Sequence, residues 1–134
     1  MDPKIIETIE RCAAASYTAT ISFRDVIAAL VGQGIESYRV DYRTRLAHYY
    51  LASGDTHTLA VKAPVVTIGD AFSPATLQEA IAGSQRGEVT YPEFLERSMA
   101  AGCVGYVVWI AGRHVAYFGR RGETHIERFP SVST

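Results

Sequence analysis

The chain has 134 residues, a formal net charge of −1, 48% hydrophobic residues and 20% charged ones. That length fits one domain, because two independent units of about 65 residues would each bury only roughly 60% of their surface. The composition excludes a disordered chain, and the charge gives no general attraction to nucleic acid or to an anionic membrane, so neither is expected as a partner.

Asp2-Pro3 sets an N-cap residue before a proline at the first helical position, and the spacing predicts a helix to about Ser16. No apolar segment with a small-residue cleavage site stands before it, so the protein is expected in the cytoplasm. Ser22-Phe23-Arg24-Asp25 places a hydroxyl three residues before a carboxylate, a capping-box pattern in which the cap alone contributes about 1 kcal/mol. Phe23, Val26, Ile27, Leu30 and Val31 continue from it as one apolar stripe, and Gly34 closes the helix in a left-handed turn. Tyr38, Val40 and Tyr42 then alternate with Arg39, Asp41 and Arg43, the pattern of a half-buried antiparallel strand. Turns near Thr44 and at Ser53-Gly54 separate two further strands, from Arg45 to Leu51 and from Thr56 onward. Ala63 to Phe72, with Pro64 and Gly69, reads as a linker apolar enough to lie along the surface.

After the linker the series starts again. Ile21 to Val61 falls on Val89 to Phe129 at one constant offset without a gap, and the identities include Gly34/Gly102, Tyr38/Tyr106, Arg45/Arg113, Tyr49/Tyr117, Gly54/Gly122 and His57/His125. Ser73-Pro74 thus opens a helix to about Ala82, and Thr90-Tyr91-Pro92-Glu93 caps the next, with Tyr91, Phe94, Leu95 and Met99 as its stripe. The first caps break the offset, which would carry Asp2-Pro3 onto Asp70-Ala71 and not onto Ser73-Pro74, so three residues have entered or left one copy. The expectation is an α+β fold built by internal duplication of a helix-helix-strand-strand-strand unit, with an antiparallel or mixed sheet, helices on one face and pseudo-twofold symmetry. It is one domain over residues 1–134, with repeats of about 1–62 and 73–130 joined by the linker 63–72. Cys12 and Cys103 have no cysteine counterparts in the other copy and read as two reduced, buried thiols. The most apolar stretch, Cys103 to Ile110, is far short of the roughly 20 residues of a membrane span, so no membrane is expected.

Two features could carry chemistry. Gly-Asp-Thr-His at Gly54 to His57 returns as Gly-Glu-Thr-His at Gly122 to His125. In extended backbone, carboxylate and imidazole share a side, and if the pseudo-twofold axis brings the turns together, Asp55, His57, Glu123 and His125 form a divalent-metal site. The competing reading is turn chemistry, since Gly and Asp are what a hairpin turn requires. The second feature is Trp109 with Val107, which stand where the first copy has Asp41 and Arg39 and so add apolar surface to a face that should meet water. Such a gain suits a cover by the linker, a ligand or a homodimer through this face, or else a core between the two halves. There is no zinc-finger cysteine spacing, no phosphate-binding glycine loop with lysine and no nucleophile elbow.

Ile21-Ser22-Phe23, Gly34-Ile35-Glu36-Ser37-Tyr38, Tyr49-Tyr50, Gly54-Asp55-Thr56-His57, Ala100 to Tyr106 and Tyr117-Phe118-Gly119-Arg120 carry a resemblance over nearly the whole chain. In these residues the chain resembles the YbcV-like family of bacterial proteins, which has members in prophage regions and is sometimes labelled phage envelope protein. The resemblance implies no established reaction, cofactor or catalytic residue. The first functional reading is a small non-enzymatic interaction or regulatory domain acting through the face around Trp109 as a dimer. The alternative is a small-molecule or divalent-metal-binding protein, a hydrolase or isomerase, that uses the paired acid and histidine motifs.

Overall fold

The computed structural model describes residues 1–130. Its elements are α1 (Pro3–Tyr17), α2 (Phe23–Gly32), β1 (Ile35–Asp41), β2 (Leu46–Leu51), β3 (Thr56–Ala60), α3 (Pro74–Gln85), α4 (Tyr91–Ala100), β4 (Cys103–Trp109), β5 (His114–Gly119) and β6 (Thr124–Arg128). Every boundary from α2 to β3 recurs at the same offset from α4 to β6. The six strands form one sheet in the order β3-β2-β1-β4-β5-β6, antiparallel throughout, and the four helices cover one face of it. The fold is α+β, as expected.

The unequal spacing of the first two helix caps has a simple cause. α1 and α3 end at matching positions, Tyr17 and Gln85, and α1 is longer at its start. Both helices outrun the expected ends at Ser16 and Ala82. α3 continues through Gly83 because a side chain there would meet Val89, so glycine in this helix makes room for packing rather than ending it. The second helices differ in their caps. Thr90 and Glu93 complete the reciprocal box, whereas Ser22 accepts the Asp25 amide but Asp25, one methylene shorter than Glu, does not return the bond.

The core gathers the large, fully buried aliphatic side chains of the helices, Ile9, Leu30, Leu77 and Leu95, with Val108 of the sheet. Around them lies an unusual density of tyrosine. Tyr38 stacks on its cross-strand partner Tyr49 at 4.9 Å, and the equivalent pair Tyr106 and Tyr117 lies at 5.7 Å. Buried hydroxyls find partners: Tyr42 with Ser98 at 2.8 Å, Tyr91 with Tyr106 at 2.7 Å. The linker 63–72 holds to the end of α4 through Gly69 N–H to the Met99 carbonyl, and Ser73 N–H bonds the Ala101 carbonyl. Val65, within the linker, stands fully in water.

β1 and β4 pair through Tyr38 with Val108, Arg39 with Val107, and Val40 with Tyr106. Replacing each residue by its equivalent in the other half turns the first pair into the third and leaves Arg39/Val107 unchanged. A local twofold axis normal to the sheet therefore passes by that pair. Matching irregularities between Ile35 and Ser37 and between Cys103 and Gly105 obey the same relation.

Gly34 and Gly102 follow α2 and α4 at φ +79° and +88°. A Cβ at Gly34 meets open space, but at Gly102 it runs into the backbone of Ala71 and Phe72. Gly34→Ala is expected to lower the unfolding free energy by about 1 to 2 kcal/mol, the left-handed penalty alone, and Gly102→Ala by clearly more. Urea denaturation of the two variants checks the order.

Burial pushes the Cys103 thiol from 9.0 up to about 11, and raises the hydroxyls of Tyr38, Tyr42, Tyr49, Tyr91, Tyr106 and Tyr117 well above 10.0. These groups keep their protons more tightly when folded, so the stability they contribute is fully present below the unfolded values and is lost as pH rises past them. Melting temperature is expected to hold near neutrality and to fall above pH 9, steeply above pH 10, with the tyrosinate absorbance of these six buried rings rising only as the protein unfolds. Tyrosinate formed by any of these six in the folded state at the ordinary pH would contradict this.

Candidate functional site

The duplicated acid and histidine motifs do not meet. His57 lies on β3 and His125 on β6, the two outer strands of the sheet. Five inter-strand spacings separate them, about 24 Å along the sheet. One ion therefore cannot be shared by Asp55, His57, Glu123 and His125. Among the described residues no group of three or more His, Cys, Asp and Glu side chains could hold a metal ion.

Each histidine instead turns toward the helices. His125 Nε2 lies 2.9 Å from Gln78 Oε1 on α3, and His57 Nε2 lies 3.7 Å from a Glu10 oxygen on α1. Glu10 and Gln78 occupy equivalent places on their helices, so the same edge-to-helix contact is made twice with different partners. His57 Nε2 is buried and makes no hydrogen bond among the described residues. The acids serve the turns. Glu123 Oε1 accepts the Arg121 amide at 2.8 Å, and hydrogen bonds from its own backbone N–H and that of Arg121 hold its carboxyl below the usual range. The Asp55 and Glu123 carbonyls accept the amides of Leu51 and Gly119. His125→Ala is expected to cost about 1 kcal/mol of stability through the lost bond to Gln78. Calorimetric titration with zinc should give the same result for the wild type and this variant.

The sheet face away from the helices carries a different candidate. All four helices pack on the other side, so no helix among the described residues covers this face. Trp109 is 45% exposed on it, with Ile126 and Leu46 at 47% and 36%. Val107 was expected in water but is only 7% exposed; Arg39 and Ala116 flank it across the strands. A groove of about 490 Å³ crosses the face, lined by Ser37, Arg39, Tyr50, Val107, Trp109 and Phe118 among others. A second, of about 250 Å³, is its counterpart through the local twofold, with Asp41, Gly105 and Phe118 where the first has Trp109, Ser37 and Tyr50. Sequence reasoning placed Trp109 on this face and left out Ser37, Tyr50 and Phe118. Their strand alternation put them outward, but nothing local indicates that β1 and β4 are neighbours.

His48 and His114 also lie on this face, bonded locally to Thr58 Oγ1 at 3.0 Å and to the Gly112 carbonyl at 3.1 Å. Among the described residues no helix is long and apolar enough to cross a membrane.

Fold and face together define a helix-backed antiparallel sheet with one side open. The chain belongs to the family described as protein of unknown function (DUF1398), whose profile matches residues 11–127. An uncharacterized protein of Mycobacterium bovis is 32% identical over 62 residues, 46% of this chain and 38% of the relative. Uncharacterized proteins of two Mycobacterium tuberculosis strains match to the same extent. The aligned stretch thus spans well under half the length of these relatives.

Proposed function

We propose that this chain is a non-enzymatic binding domain whose working surface is the open sheet face. The observation that carries this reading is the exposure of Trp109, on a central strand of a face that no helix covers. Exposed apolar surface of this kind is costly to solubility and is kept where something binds. It lies on a rigid six-stranded frame whose hydrogen bonds and core sit behind it, so the surface is preorganised.

The homodimer is the arrangement that charge favours least. Arg39 sits at the middle of the face, so a second copy centred on the same face brings two guanidiniums together. Asp41, the acid nearest to them along β1, already accepts the Arg43 amide at 2.8 Å. A partner that carries negative charge meets no such repulsion.

Screening a library of small fragments by amide NMR tests the reading. The perturbed amides are expected to cluster on β1, β2, β4 and β5. Trp109→Ser should abolish the perturbations while changing the unfolding free energy by less than about 1 kcal/mol. Hits confined to the helix layer, or none at all, would overturn the proposal, and sedimentation across a range of concentrations reports whether a second copy occupies the face.

A further inference from the structure

One row of the open face runs large, small, large. Ser37 pairs with Tyr50 on β2 and with Trp109 on β4, so two aromatic side chains stand on either side of a serine. Adjacent strands lie about 4.8 Å apart, which sets the two walls about 9.6 Å apart. A flat ring that touches both walls needs about 7 to 8 Å, the sum of two contacts of about 3.5 to 4.0 Å each. The row can therefore admit one ring and not two. The equivalent row in the other half is Phe118, Gly105 and Asp41, where a carboxylate replaces the second wall and binds the turn amide of Arg43. Among the described residues the slot exists once.

Its two ends carry opposite charges. Arg39, two residues along β1 from Ser37, is exposed, and its side chain makes no hydrogen bond or ion pair among the described residues. Glu36 lines the same groove beyond Ser37. Arg43, by contrast, already faces Asp41 at 3.8 Å. An arginine left free beside an aromatic slot is a bidentate donor for a planar anion, and Glu36 repels the same charge from the other end. The groove, at about 490 Å³, falls within the range of small-ligand sites.

We propose that Tyr50, Ser37 and Trp109 form a slot for the ring of a small aromatic carboxylate, whose carboxylate is held by Arg39. The inference rests on reading the open face as the working surface. Ser37 is only 6% exposed, which makes it the floor of the slot, and the walls supply stacking to any flat ring. Arg39 then selects anionic ligands over neutral ones of the same shape.

The test uses naphthalene carboxylate and its neutral analogue naphthyl methanol, titrated into the full chain while NMR follows the indole N–H of Trp109, the single tryptophan. The acid is expected to bind saturably and at least about tenfold more tightly than the alcohol, the scale of one charge-assisted hydrogen bond. Arg39→Gln should bring the two affinities together, and Trp109→Ala should remove both. Both residues are exposed, so a thermal melt serves to show that the variants fold. Equal affinity for acid and alcohol, a preference that survives Arg39→Gln, or no saturable shift would overturn the slot. If fragments still perturb the open face in that case, the working surface stands and only the ligand class fails; naphthalene carboxylate bound on the helix layer would overturn both.

Discussion

The antiparallel pairing of β1 with β4 is the contact on which the rest of the molecule depends. Each set of three strands is a meander, and such a meander with two helices buries only roughly 60% of its surface by itself, a marginal core. Joining the two sets at β1 and β4 turns two exposed edges into the centre of a six-stranded sheet. It also sets the helix layer, because the residues that fill the core, such as Leu30 and Leu95, lie over the strands that this pairing brings together. The open face is a product of the same event: Arg39 and Val107 become neighbours only there.

The two sets of elements agree closely behind the sheet and differ in front of it. Behind it, one exchange is compensated by another. Tyr42 donates to or accepts from Ser98, while the equivalent positions in the opposite halves hold Ile110 and Leu30, so a hydroxyl pair in one place is an aliphatic pair in the other. A core at crystal-like density tolerates such swaps only when volume is returned nearby. In front of the sheet no such constraint applies, and Trp109 faces Asp41 across the symmetry without any matching change. Asymmetry there costs the fold little.

Much of the architecture could be read from the residues. Hydroxyl caps at Ser22 and Thr90, left-handed glycines at Gly34 and Gly102, and the alternation at Tyr38, Val40 and Tyr42 are local signals, and the structure places them as those signals require. Two left-handed residues that are not glycine, Arg45 and Arg113, were not legible as such, although their identity at matching places in the two halves was visible. Each offers its carbonyl to the residue after the third strand, Val61 or Phe129, and Arg45 also reaches the Ala63 carbonyl while Arg113 lies over the Phe129 ring. These are contacts between distant parts of the chain, and no window of sequence contains both partners. The same limit applies to the histidines. His57 and His125 look like reactive groups in a motif, but Glu10 and Gln78, which meet them, lie on helices far away in sequence. The site on the open face is of this kind too, since Tyr50, Ser37 and Trp109 come from three strands.

An even number of antiparallel strands leaves β3 and β6 running in opposite directions at the two ends of the sheet. A neighbouring molecule moved sideways, without rotation, would present its β3 to this β6 in an antiparallel sense. Such a head-to-tail contact never closes, and its product is a filament. Both edge strands are short, and β6 ends in Glu127 and Arg128 while Lys62 follows β3. Short, charged edges are how sheet proteins refuse one another, and β3 and β6 have both features on a sheet whose geometry would otherwise allow such tiling.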